Sequence, residues 1–171
     1  EAWYEKAPVG STARFGRGDT QWLTTGAGVV HSEMFPLVNR DAPNPTELFQ
    51  IWLNLPAENK FADAYFTMFW ADEIPQFDAS AGTTVTVIAG ALPGTGPDGD
   101  PPQPPPDSWA SVPGSEVAIW HIRMEADARW TMPHTAGSNT TRMLYAFDGD
   151  SVTLEGAKLD AGTGARLADG R

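Results

Sequence analysis

The sequence predicts an all-β protein, with short antiparallel strands arranged as a sandwich or barrel. Two observations carry this. Runs of β-branched and aromatic residues recur at close spacing, with Gly, Pro and Asp between them, which is the pattern of strands joined by tight turns. No long segment shows an apolar stripe repeating every 3.6 residues, so helical signal is scarce.

The elements follow in order. Residues 26–31 (GAGVVH) are a short apolar run after a glycine turn, and residues 48–55 (LFQIWLNL) alternate in part before Pro56 ends them. Residues 58–65 (ENKFADAY) fit a short helix or an irregular turn. Residues 83–89 (TTVTVIA) form a β-branched strand that stops at Gly90, and residues 116–124 (EVAIWHIRM) read as another. Residues 143–147 (MLYAF) run into the turn Asp148-Gly149-Asp150, and residues 152–154 (VTL) follow, which predicts a hairpin. Pro93 to Pro106 is nearly all Pro, Gly and Asp; it cannot pair inside a sheet and reads as an exposed loop or polyproline stretch where a protein partner could dock. The pattern breaks near Asp72-Glu73-Ile74-Pro75, which suggests two lobes, residues 1–70 and 71–171. Residues 162–171 are polar and show no clear closing strand.

Bulk properties narrow the function classes. Hydrophobic residues make up 41% of the 171, with seven Trp and eight Phe, so a core can be buried. A formal net charge of −11 repels phosphate backbones and anionic lipid, which disfavours a nucleic-acid module or a membrane-surface module. The absence of cysteine excludes disulfides, thiolate zinc sites, iron–sulfur clusters and Cys nucleophiles. There is no apolar run long enough to span a bilayer, and the first residues lack the basic-then-apolar order of a signal peptide. A cytoplasmic monomer is the expectation.

One tripeptide carries chemistry. On extended backbone, His31 and Glu33 flank Ser32 and point to the same side, with Cα atoms ~6.5–7 Å apart. An imidazole nitrogen and a carboxylate oxygen suit Fe(II), Mn(II) or Zn(II). Two ligands do not complete a site, and His-x-Glu recurs by chance as an unrelated surface pair. Other signals are weaker. Arg17-Gly18-Asp19 reads as a turn, and Asn139-Thr140-Thr141 matches a glycosylation acceptor without a secretion signal. Asp98, Asp100 and Asp107 lack the spacing of a calcium loop, and no nucleophile elbow supports a hydrolase triad.

The surroundings sharpen the His31–Glu33 reading. Gly16 to Met34 (GRGDTQWLTTGAGVVHSEM) resembles the pirin signature G-D-x-Q-W-x-T-x-G-x-G-x-x-H-x-E-M, and Phe49 to Pro56 (FQIWLNLP) is similar to that family's F-Q-L-W-V-N-L-P strand. Glu73-Ile74-Pro75 looks like the family's linker before a second domain. The segments 84–90, 117–122 and 143–149 fall in the order expected of that domain.

The resemblance implies a cupin fold (a double-stranded β-helix, or jelly-roll barrel). Residues 1–70 would be the C-terminal part of a first cupin, and residues 71–171 most of a second. It also implies non-haem iron (Fe2+/Fe3+) held by three His and one Glu, of which this chain supplies His31 and Glu33. The upstream segment with the other two His, and the closing strands of the second cupin, have no counterpart here, so the chain reads as an incomplete bicupin. His121 and His134 match no ligand position. Trp22 and Met34 could wall the site or simply pack in the core.

Two functions then compete. One is a dioxygenase taking a small aromatic flavonol such as quercetin together with O2, in which Glu33 is also a candidate catalytic base. The other is a non-enzymatic iron- or redox-sensing regulator that acts through a protein partner.

Overall fold

The computed structural model describes residues 3–6, 12–96, 99–135, 137 and 140–167. Among these, regular structure is strand and short 3₁₀ turn, with no α-helix, and every strand pairing is antiparallel. Contacts divide the chain into two compact units, residues 1–131 and residues 132–171.

The first unit holds three sheets. β1 (Trp3–Lys6), β2 (Thr12–Phe15) and β4 (Ser32–Met34) lie in the order β2-β1-β4, and β3 (Thr20–Thr24) pairs with β5 (Tyr65–Phe69). β6 (Gln76–Ser80), β7 (Thr83–Ala89) and β8 (Ile119–Met124) form the third sheet, with β7 central. Alternation is complete on β7: Thr83, Val85, Val87 and Ala89 are buried, and the residues between them half-buried. Val85 and Val87 pack with Leu92 against Phe77, Ala79, Trp120, Ile122 and Trp130. Each of these two valines contributes ~1.5–3 kcal/mol by burial.

In the second unit, β9 (Met143–Ala146) pairs with β12 (Thr163–Arg166), and β10 (Ser151–Leu154) pairs with β11 (Ala157–Asp160).

Several local expectations are corrected. The predicted hairpin joining residues 143–147 to 152–154 does not form; Leu144 lies opposite Ala165, and Val152 opposite Leu159. The decisive turn is Glu155-Gly156, with φ of +47° and +86°, the left-handed pair that a two-residue hairpin requires. The segment after Gly162 therefore does contain a closing strand, β12.

Residues 26–31 are not a strand either. The Gly28 N–H donates to the Thr25 carbonyl at 2.8 Å, and regular pairing begins at Ser32. Residues 48–55 have no partner strand among the described residues, and Ile51 and Trp52 are exposed. Strand-forming composition without a neighbour to bond leaves an extended coil. At residues 58–65 the expected short helix or irregular turn is a 3₁₀ turn, Ala57–Asn59, and Tyr65 already begins β5.

The proline-rich stretch is not an exposed loop throughout. Gly99, Pro101 and Pro105 are buried, and the Ser111 hydroxyl donates to the Pro106 carbonyl at 2.7 Å. Proline brings apolar surface and no N–H to satisfy, so it can be buried without a ladder partner. Asp98 lies outside the described residues.

Candidate metal centre

The local chain path is set by a turn and a carboxylate. At Gly26, φ is +51°, and a Cβ placed there would lie 1.8 Å from the Ala62 carbonyl oxygen. Only glycine lets these two segments approach so closely. Asp19 faces inward from the β2–β3 turn. Its Oδ2 accepts from the Gly16 N–H at 3.0 Å, and its Oδ1 accepts from the Ala71 N–H at 2.9 Å. The Arg17-Gly18-Asp19 tripeptide is thus a turn whose carboxylate bonds the chain just beyond β5. Sequence reasoning found the turn but not the contact to Ala71.

His31 directly precedes β4, and Glu33 lies within it, opposite Glu5 of β1. His31 Nε2 is 3.7 Å from Glu33 Oε1, with the side chains 33% and 37% exposed. The two side chains therefore converge, as extended backbone requires. Donors ~2.1 Å from one ion, at a tetrahedral to trigonal angle, are separated by roughly 3.4–3.6 Å. The pair fits a metal in donor type, and its 3.7 Å separation lies just beyond that range, so a small closing rotation would bring both donors onto one ion as two members of a larger set. No group of three or more His, Cys, Asp or Glu able to hold a metal occurs among the described residues.

His121 is on β8 opposite Thr86, and His134 is an exposed residue of the second unit. Trp22 packs on Phe69, with ring centroids 5.6 Å apart, and Met34 is exposed. Asn139, of the acceptor sequence, lies outside the described residues.

The sequence model of the pirin family matches residues 5–53, the span that contains the turn, Asp19, His31 and Glu33. A pirin-like protein of Caulobacter vibrioides is 29% identical over 165 residues, covering 96% of this chain and 54% of its own length. This chain belongs to the pirin family. A further relative, from Pseudomonas aeruginosa, is described as a candidate quercetin 2,3-dioxygenase; it is 30% identical over 141 residues, covering 82% of this chain and 45% of its own.

Among solved structures, a quercetin 2,3-dioxygenase from Acinetobacter baumannii superposes with a TM-score of 0.66 at 21% identity, over 99% of this chain and 55% of that one. The fold is accordingly the all-β cupin fold of the pirins. The chain spans about half the length of the relatives it matches. No helix among the described residues is long and apolar enough to cross a membrane.

Proposed function

We propose that this pirin-family protein is a metal-dependent dioxygenase acting on a flavonol such as quercetin, with His31 and Glu33 as two of the ligands to a non-haem iron. The observation that carries the reading is the 3.7 Å approach of His31 Nε2 to Glu33 Oε1 within the matched span. The names of relatives such as the Pseudomonas aeruginosa protein support the substrate class. When bound, iron supplies the electron transfer between the flavonol and O2. His31 and Glu33 orient the site from one short strand end. The Glu33 carboxylate also accepts the proton released by the flavonol's enolic hydroxyl, which readies the ring for O2. The same reading divides the chain between its two cupins at residues 70/71. No strand before residue 70 pairs with one after it among the described residues, although both sides of that boundary fall within the compact unit of residues 1–131.

The test is elemental analysis of the protein at its full natural length beside H31A and E33A, followed by quercetin consumption in air, read from loss of its visible absorbance. Near-stoichiometric iron that falls severalfold in both variants, with loss of turnover, is the expected result. Iron retained in both variants would overturn the ligand assignment. Bound iron without quercetin consumption would overturn the dioxygenase reading in favour of a regulator that works through a protein partner.

A further inference from the structure

The β6-β7-β8 sheet has two unlike faces. One carries Phe77, Val85, Val87, Trp120 and Ile122 into the core. The other is polar, and the strand register sets Asp78, Thr84 and Arg123 in one row across it. This row borders a cavity of about 640 Å³ at the end of the β6–β7 hairpin, which Ser80, Gly82 and Glu125 also line. The Glu125 N–H donates to the Gly82 carbonyl at 2.8 Å, which holds Glu125 beside the turn.

The charges here do not satisfy one another. The Arg123 guanidinium and the Glu125 carboxylate make no hydrogen bond or ion pair among the described residues. Among the described residues the Asp78 carboxylate accepts only a 3.4 Å bond, from the Thr84 hydroxyl. Asp78 and Arg123 both stand opposite Thr84, so two strand spacings, roughly 10 Å between Cα atoms, separate them. That gap leaves room for a small ligand. A lone anion would meet two carboxylates, and a lone cation would leave the guanidinium unmatched. A ligand carrying both charges close together matches all three groups. No aromatic side chain lines the cavity, so a flat stacking ligand is disfavoured.

We infer that this cleft binds a free α-amino acid as its zwitterion. The ligand carboxylate lies on the Arg123 guanidinium, its ammonium lies between Asp78 and Glu125, and the Thr84 hydroxyl lies beneath. The inference is independent of the metal centre.

Isothermal titration of the full chain with glycine and with L-alanine tests it, with acetate and methylammonium as half-ligands and glycine betaine as a zwitterion lacking N–H donors. Saturable binding of glycine and L-alanine is expected, with weaker binding of all three controls. R123Q and D78N should each weaken glycine roughly tenfold or more. Both side chains are exposed, so both variants should keep the wild-type circular dichroism spectrum. Three results would overturn the inference: no saturable heat up to roughly 50 mM glycine or L-alanine, acetate or methylammonium binding as tightly as glycine, or unchanged binding in both folded variants.

Discussion

Replacing Gly26 with alanine tests the turn that leads into the candidate metal centre. The native φ of +51° lies in the left-handed region, which costs an L-residue about 1–2 kcal/mol. The added Cβ would stand 1.8 Å from the Ala62 oxygen and 2.9 Å from its carbonyl carbon. Both are backbone atoms, so no side-chain rotation relieves the clash and a chain segment must move. Ala62 is itself tied by its N–H to the Asn59 carbonyl at 3.0 Å, so the shift drags the 3₁₀ turn with it. Overpacking of this kind costs about 1–3 kcal/mol, which makes the total about 2–5 kcal/mol. Gly114→Ala is the control: its φ of +77° is also left-handed, but nothing lies within 4 Å of the added Cβ. Urea denaturation followed by tryptophan fluorescence reads both. Gly26→Ala should be destabilised well beyond Gly114→Ala. A difference under about 0.5 kcal/mol would refute the close approach as the reason for glycine at position 26.

The remaining predictions concern single polar groups. Asp19→Ala leaves the Gly16 and Ala71 N–H groups without their charged acceptor and should cost about 2–4 kcal/mol; Asp19→Asn, which keeps one acceptor oxygen, should lose about half of that in the same melt. Thr83 is only 1% exposed and its hydroxyl has no hydrogen-bond partner among the described residues, so the near-isosteric Thr83→Val should raise stability by about 1 kcal/mol; a lower urea midpoint would mean that the hydroxyl is satisfied after all. Ser108→Ala removes the acceptor for the Ala110 N–H (3.2 Å) at the start of the Trp109–Ser111 turn, and should cost about 0.5–2 kcal/mol by the same measurement.

Parts of the fold were legible because the signal was local and complete. β7 is β-branched at nearly every position and bounded by Gly82 and Gly90, so composition, alternation and termination agree, and the strand spans residues 83–89 as the sequence predicts. The pairing of β9 was not legible. Asp148-Gly149-Asp150 is as good a turn on paper as Glu155-Gly156. The choice between them depends on which strands gain partners, and β9 finds its partner in β12, across an intervening hairpin. The proline-rich stretch misled for a related reason: composition reports that it cannot join a sheet, but not that Pro101 and Pro105 find apolar surface to cover.

The candidate site divides along the same line. The convergence of His31 and Glu33 follows from the two-residue period of extended backbone, which holds even though His31 stands just outside β4. Geometry that depends on residues far apart in sequence has no such period. The Asp19–Ala71 bond spans 52 positions, and no pattern around either residue announces it. A metal centre is the extreme case, because its donors need share only a point in space. A sequence can place two of them together when they lie on one strand, and can place the rest only by likeness to a family. This is why the His31→Ala and Glu33→Ala metal analysis carries more weight than further reading of the pattern. It asks whether two donors two residues apart belong to a shared ion, and no rule of strand or turn can answer that.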